Sequence, residues 1–597
     1  MVTSELTGAE EVAWDLSDLY ESPDDPAIDQ EVADAERSAA AFRERYHGKV
    51  ASLDASGLAE AVAERESIES AMDRALTYAH LNFATNMGDS TRGALVARLQ
   101  EKAAVLETQL LFFALEWAAA SDAEADALLA SPELDDWRHY LGSLRKFRPY
   151  LLSEPEERIL TEKTVSGSSA WSRLYEELLS SLRVDLDGEQ MPLETAMARL
   201  YSAERETRAE AAEAVAAALE PGLRTRTYVF NTILNDKSID DRLRGYDTWI
   251  SSRNLANETT DDAVQALVDA TTSRYGVAQR YYRLKARLLG IDRLSHFDRF
   301  APVAESTTNT PWDEARSVVV NAYADFSAEA GTIVEEFFAK SWIDGPVRAD
   351  KRTGAFCATT VPGVHPYVLM NYTGDRRSIL TLAHELGHGL HGAMAQPLGL
   401  FNASTPLTTA ETASVFGEAL TFKRLLAAED DPRRKLDLLT GRIEDAIATV
   451  FRQIAMNRFE HAVHTERRTQ GEISSERFAE LWMECQTHLF GDSVATTRYE
   501  NWWSYIPHFT GVPGYVYAYA YGYLFALSIF RAYECEGDAL VEPYLELLRA
   551  GGSKSPEELA QIVGLDLTDP AIWASGIDAL ADELDEAERL AGEIGLG

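Results

Sequence analysis

Residues 378–394 read SILTLAHELGHGLHGAM, the most informative stretch of the sequence. Its apolar residues return every three or four positions, which predicts an amphipathic α-helix. His384 and His388 are four residues apart, so they lie on one face of that helix and can bind one metal ion. Glu385 is angled to hold a water molecule at that metal rather than to bind the metal itself. The pattern predicts a metal centre.

The donor set favours zinc as that metal. Two neutral imidazoles leave Zn²⁺ strongly Lewis acidic, the pKa of its bound water falls to about 7, and a carboxylate can accept the proton as water attacks a carbonyl. The alternative is two core histidines in an ordinary helix. The apolar helical flanks and a further candidate ligand downstream argue against it. We therefore expect one zinc ion per chain.

A catalytic zinc ion usually has three protein ligands, so one more is needed. His391 is close in sequence, but the metzincin pattern would place its last histidine at position 394, where Met394 stands. We expect His391 to pack or hydrogen-bond near the site. Residues 408–422 (TTAETASVFGEALTF) are the better source, since Glu411 and Glu418 share one helix face. One should bind zinc and the other should orient a histidine, and spacing does not say which.

A second set of polar residues lies near the C-terminus. His508 is followed by Tyr515 and by tyrosines at every second position from 517 to 523. Phenol and imidazole groups can donate hydrogen bonds to the oxyanion formed during hydrolysis. We expect this role for His508 and Tyr515, whereas Tyr517 and Tyr521 are expected to be core aromatics.

Composition limits the partners and the compartment. The 597 residues carry 56 basic against 97 acidic side chains, a formal charge of −41, which opposes binding to nucleic acid or anionic membranes. Three widely spaced cysteines form no disulfide framework, and residues 1–14 lack a secretory signal pattern, so we expect a cytoplasmic protein. Residues 509–530 are uncharged, but their five tyrosines favour a buried helix over a membrane span. The oligomeric state is left open.

Helical periodicity dominates the chain, and its length predicts two or more lobes. A turn at residues 182–191 suggests an N-terminal helical region over 1–190 and a helical catalytic domain over 191–597. The clearest strand is residues 367–372 (YVLMNY), just before the metal motif. It is either a sheet edge that pairs with an extended peptide or an internal strand with no ligand role.

The sequence resembles the oligoendopeptidase F group of the thimet-oligopeptidase family over most of its length. The matching segments are WDLSDLY (14–20), GAF (354–356), HPYVLMNY (365–372), TLAHELGHGLH (381–391), AETAS (410–414) with Glu418, and PHFTGVPGYVYAYAYG (507–522). The resemblance implies that Glu411 is the third zinc ligand and that His508 and Tyr515 bind the transition state. Which of Tyr519, Tyr521 and Tyr523 faces substrate stays open.

The resemblance also implies a mainly α-helical fold with a deep substrate channel and a small β-sheet near the zinc. It implies a zinc endopeptidase that cuts internal bonds of short, unstructured peptides. One alternative is a carboxypeptidase or dipeptidyl carboxypeptidase, which would grip a substrate carboxylate with Arg352, Arg376 or Arg377. The other is a non-catalytic, zinc-stabilised scaffold that binds peptides, against which the presence of Glu385 argues, because structural zinc needs no general base.

Overall fold

A computed structural model describes residues 6–303 and 309–596 of the chain. The chain divides into two compact units, each assembled from three segments. The first unit comprises Met1–Leu151, Ser306–Ala428 and Ile529–Asp566, and the second comprises Leu152–Glu305, Glu429–Ser528 and Leu567–Gly597. The boundary predicted from the sequence would instead separate two consecutive stretches, 1–190 and 191–597, and it stays a prediction.

Within the described residues the α-helices are α1 (Pro26–Tyr46), α2 (Ala55–Ala84), α3 (Ser90–Ala119), α4 (Asp122–Leu129), α5 (Arg138–Lys146), α6 (Glu154–Thr164), α7 (Ser168–Ser181), α8 (Leu193–Ala198), α9 (Arg205–Leu219), α10 (Leu223–Arg244), α11 (Ser251–Ala256), α12 (Asp261–Ser273), α13 (Tyr275–Leu288), α14 (Trp312–Phe326), α15 (Ala328–Ala339), α16 (Arg376–Ala395), α17 (Leu400–Ala403), α18 (Thr412–Ala428), α19 (Pro432–Ala446), α20 (Arg452–Gln470), α21 (Ser475–Phe490), α22 (His508–Gly511), α23 (Tyr517–Glu536), α24 (Val541–Ala550), α25 (Pro556–Ile562) and α26 (Pro570–Glu593). The strands are β1 (Arg183–Leu186), β2 (Glu189–Pro192), β3 (Leu294–Ser295), β4 (Ile343–Pro346), β5 (Phe356–Ala358), β6 (Tyr367–Tyr372) and β7 (Val494–Ala495). The expectation of a mainly α-helical protein with a small sheet just before the HELGH helix is confirmed.

Large aromatic side chains form the core of each unit. Trp117 and Tyr323 are fully buried in the first unit, and Trp482, Trp503 and Trp573 are fully buried in the second. Aromatic side chains supply much of the buried apolar area in a core and hold it by edge-to-face and offset contacts.

The sheet beside the HELGH helix has the order β4–β6–β5, with β4 parallel and β5 antiparallel to β6. The strand at residues 367–372 is therefore central, and of its two interpretations the sheet-edge one is wrong. Five of its six residues are buried, as expected for a strand covered on both faces. Strand β5 is an outer strand of this sheet, and it was too short to be predicted from the sequence.

N-terminal residues contact this sheet, namely Val12 and Trp14, the first residue of the WDLSDLY segment. The backbone oxygen of Val12 accepts a hydrogen bond from the Gly345 N–H in β4 at 2.9 Å. The ring of Trp14 makes edge contacts with Phe356 in β5 and Tyr367 in β6, with centroids 6.5 and 5.9 Å away. These N-terminal residues thus contact both β4 and β5.

Residues 182–191 form a β-hairpin rather than only a turn. Strands β1 and β2 are joined by Asp187 and Gly188, which have φ of 59° and 79°. Two consecutive residues with positive φ make a type I′ turn, for which Asp-Gly is a favoured sequence. The Asp-Gly dipeptide was the signal that the sequence analysis did not use.

The uncharged stretch at residues 509–530 folds into α22 and the buried part of α23, as expected for a core helix. In the described ranges, no single helix is long and apolar enough to cross a membrane; the bent pair α3 and α4 meets that test together, by length and composition only. The three cysteines are unpaired. The absence of a leader pattern was inferred partly from residues 1–5, which lie outside the described residues.

Gly387 sets the distance between α16 and α18. A Cβ atom at Gly387 would lie 2.6 Å from the Ser414 Cα and would collide with the Ala413 carbonyl oxygen. Backbone atoms cannot swing aside as a flexible side chain can. Glycine is therefore required where α18 crosses the HELGH helix.

We expect Gly387→Ala to lower the free energy of unfolding by about 1–3 kcal/mol, the usual cost of overpacking a core. Thermal and urea unfolding would measure the loss. Gly142→Ala is the matched control, because a Cβ at that position in α5 meets nothing within 4 Å. Equal stability of Gly387→Ala and the control would contradict the close approach of the two helices.

Candidate metal centre

Three side chains in the first unit converge on one point. His384 and His388 come from α16, and Glu411 comes from the turn that leads into α18. The Glu411 Oε2 lies 3.2 Å from His384 Nε2 and 3.5 Å from His388 Nε2. A tetrahedral ion with bonds of about 2.1 Å holds its ligands about 3.4 Å apart, so these three donors fit such an ion.

Further carboxylate and hydroxyl groups hold these donors in place. The Glu418 Oε2 lies 3.3 Å from His384 Nδ1, on the opposite side of the ring from Glu411. The Ser414 hydroxyl donates a 2.7 Å hydrogen bond to Glu411 Oε2. The seven-residue spacing of the two glutamates thus places one carboxylate at each nitrogen of His384.

The charges of the three donors depend on one another. Burial alone would lower the pKa of His384, but hydrogen bonds to Glu411 and Glu418 outweigh it and raise that pKa well above its ordinary value. Burial alone would raise the pKa of Glu411, but the two imidazoles hold it well below the usual range. Because a metal ligand must be deprotonated, an entering cation competes with the proton on His384.

Glu385 lies beside this group without belonging to it. Its side chain is 7% exposed and faces the same cavity as the histidines. Burial raises the pKa of its carboxyl, while the neighbouring imidazoles and the Cys357 N–H oppose that rise. A carboxyl with a raised pKa is a better proton acceptor than an ordinary surface glutamate.

A cavity of about 430 Å³ opens in front of these groups within the first unit. It is lined by Ala355, Phe356, Cys357, Thr359, His384, Glu385, His388, His391, Gly392, Ala403, Ser404, Thr405, Ala410 and Glu411. Among these described lining residues there is no lysine or arginine. Cys357, Thr359 and residues 403–405 were not predicted as lining residues, since short irregular stretches give no periodic signal.

His391 lines the cavity but is not one of the three converging donors. It is buried, and its Nε2 atom has no hydrogen-bond partner. Burial, with a smaller effect of His388, lowers the pKa of His391 to about 4, so the ring is neutral. This position agrees with the expectation that His391 packs near the site without being a ligand.

The residues near the C-terminus form their own cluster in the second unit. His508 Nε2 lies 3.4 Å from the Tyr519 hydroxyl, and the ring of Tyr515 is parallel to that of His508 at 6.0 Å. The three side chains are partly exposed. Burial lowers the pKa of His508, which favours the neutral imidazole.

The other tyrosines of this segment face the core. Tyr517 and Tyr521 are fully buried. The Tyr517 hydroxyl accepts a 2.9 Å hydrogen bond from Asn257, and the Tyr521 hydroxyl accepts one from Thr259 at 3.4 Å. Both are core aromatics, as expected, and Tyr523 is also buried. Tyr519 is therefore the later tyrosine that shares a face with His508.

Two family models match the chain. The model described as peptidase family M3 matches residues 198–578, which is more than half of the chain. The model described as oligopeptidase F matches residues 116–183.

Named relatives align along nearly the whole length. Oligopeptidase PepF of Bacillus subtilis is 27% identical over 97% of this chain and 87% of its own. An oligoendopeptidase F homolog of Borreliella burgdorferi is 25% identical over 87% of this chain and 89% of its own.

Solved structures share the fold. A Chlamydophila abortus protein described as a peptidase superposes with a TM-score of 0.84 at 21% identity, covering 98% of this chain and 99% of its own. Oligoendopeptidase F of Enterococcus faecium gives a TM-score of 0.72 at 22% identity, covering 95% and 99%. The helical fold and the long family match lead to one conclusion: this chain is a member of peptidase family M3.

Proposed function

We propose that this peptidase is a zinc-dependent oligoendopeptidase that cuts internal bonds of short, unstructured peptides. The observation that carries the proposal is the convergence of His384, His388 and Glu411 in one cavity with Glu385. The relatives named oligoendopeptidase F support the choice of short peptides as substrates.

His384, His388 and Glu411 would hold the zinc ion. When bound, zinc supplies Lewis acidity that makes water acidic and polarises the scissile carbonyl. Glu385 accepts the proton of the attacking water and passes it to the leaving amine. Glu418 fixes the ring of His384 through Nδ1, so that Nε2 faces the metal.

His508 and Tyr515 donate hydrogen bonds to the oxyanion, and Tyr519 holds His508 in place. Their donor chemistry supports this role, and so does their partial exposure. The neutral state of His508 leaves one ring nitrogen as a donor and the other free to accept a hydrogen bond.

Strand β5 is the proposed binding edge for the substrate backbone. It is an outer strand of its sheet, and its residues Phe356 and Cys357 line the cavity. An extended peptide that adds to a sheet edge binds through main-chain hydrogen bonds, which suits an enzyme that accepts many sequences.

The structure gives less support to the alternatives. Arg352, Arg376 and Arg377 do not belong to the described residues that line the cavity, so none of them marks a site for a substrate carboxylate. A non-catalytic zinc scaffold needs no buried carboxylate like Glu385 beside its ligands.

We expect Glu385→Gln to bind zinc normally and to lower kcat by about a hundredfold to ten-thousandfold, the range for a lost general base. Wild-type activity should fall in acid as Glu385 is protonated, because only its carboxylate form accepts a proton from water. Steady-state kinetics across pH and metal analysis measure both effects. Glu44→Gln on the exposed face of α1 is the control, and near-normal turnover of zinc-loaded Glu385→Gln would refute the role.

Glu411, in the turn before α18, and Glu418, within α18, should contribute differently to zinc affinity. Glu411→Ala removes a ligand and should abolish stable binding of one zinc per chain. Glu418→Ala removes only the partner of His384 and should weaken binding by about 10- to 100-fold. Competition with a chelator measures both affinities. Stable zinc in Glu411→Ala together with loss in Glu418→Ala would reverse the two roles.

Short peptides blocked at both ends separate endopeptidase from exopeptidase action. We expect internal cuts that stop when a chelator removes the metal and return when zinc is restored. Mass spectrometry of the products locates the cuts, and a folded protein substrate is the control for size selection. Cleavage of unblocked peptides alone would favour the carboxypeptidase alternative.

A further inference from the structure

Glu460 is a carboxylate with an unusual position in the second unit. It lies on α20 and is fully buried. Its Oε1 accepts a 2.8 Å hydrogen bond from the Gly514 N–H, while its Oε2 has no partner. Burying a carboxyl group costs free energy, so we expect a glutamate at such a position to have a structural or functional role.

The contacted glycine belongs to the loop that carries Tyr515. Gly514 has φ of 75°, which side-chain-bearing residues rarely adopt. A Cβ atom built at Gly514 would lie 3.4 Å from the Arg253 Cβ and 3.5 Å from the Ile250 Cγ1. Arg253 also donates to the Pro513 carbonyl oxygen at 3.5 Å. The loop is therefore held from α20 by Glu460 and from α11 by Arg253.

We propose that Glu460 is a positioning residue: by fixing the Gly514 N–H it sets the direction in which Tyr515 leaves the loop. The inference rests on the proposed role of Tyr515 at the oxyanion. The Gly514 N–H belongs to the Pro513–Gly514 peptide unit, so a rotation of that unit changes the path of the chain into Tyr515 and displaces the phenol. Donors to an oxyanion act only when they are already aimed at the point where charge develops.

The protonation of Glu460 suits this task. Burial raises its pKa to about 8, although the Gly514 hydrogen bond and the charges of Arg253 on α11 and Lys237 on α10 act in the opposite direction. One turn along α20, His464 is buried and neutral, because burial lowers its pKa, and neither ring nitrogen has a hydrogen-bond partner. A neutral carboxyl keeps a carbonyl-type oxygen for the Gly514 N–H, and a glutamine side chain can present the same acceptor.

Two substitutions separate hydrogen bonding from packing. Glu460→Met keeps the bulk but removes the acceptor, and we expect kcat to fall by about 10- to 100-fold with little change in KM, as for a misdirected transition-state contact. Glu460→Gln should stay close to wild type at neutral pH. Glu472→Met is the control for replacing a glutamate with a methionine, because Glu472 is exposed and lies outside α20. A Glu460→Gln variant as slow as Glu460→Met would overturn the inference.

Hydrogen exchange supplies a readout that does not depend on activity. Peptides covering residues 509–516 should exchange faster in Glu460→Met than in wild type, with Glu460→Gln protected. Unchanged exchange in Glu460→Met would overturn the proposal even if turnover fell.

Tyr515→Phe tests the underlying role of Tyr515 separately. Full turnover in Tyr515→Phe would remove the oxyanion role on which the inference rests. Slow turnover in Tyr515→Phe, with normal turnover in Glu460→Met, would leave that role intact and overturn the positioning by Glu460.

Discussion

The contact between the backbones of α16 and α18 is the constraint on which the metal centre depends. Gly387 lies between the two histidines, and the Ala413–Ser414 backbone occupies the space that a side chain would take. On α18, Gly417 has no side chain because the Tyr323 hydroxyl fills its place. That hydroxyl donates to the Ala383 carbonyl oxygen at 2.7 Å. Two glycines and one tyrosine thus bring a carboxylate within reach of both imidazoles.

Because the two helices are so close, several carboxylates lie near one another and repel. Glu385, Glu411 and Glu418 lie around two histidines in a partly buried site, and no lysine or arginine occurs among the described residues that line the cavity. Carboxylates gathered in a low-dielectric site repel one another unless a proton or a cation lies between them. A proton on His384 reduces this repulsion, and a divalent cation held by the three donors would reduce it further.

The sequence predicted those parts of the site that lie within one helix. His384, Glu385 and His388 were predicted from helical spacing alone, and all three lie on α16. The choice between Glu411 and Glu418 did not follow, because both share a face of one segment and their targets depend on how α18 crosses α16. Along α23, Tyr519 separates from Tyr517 and Tyr521 by helical spacing, a distinction that the alternating sequence hides. Glu460 gave no signal, since its partner is a backbone N–H far away in the chain.

The sheet shows why distant segments belong to one site. Strand β6 has the apolar run of a strand covered on both sides, whereas the three residues of β5 carry no pattern at all. The N-terminal residues contact both outer strands, since Val12 bonds to β4 and Trp14 packs against Phe356 of β5. In the proposed function a peptide strand would add at β5, because β5 is an outer strand and its residues Phe356 and Cys357 line the cavity. Val12 and Trp14 thus contact the sheet that borders the candidate site, although neither residue lines the cavity.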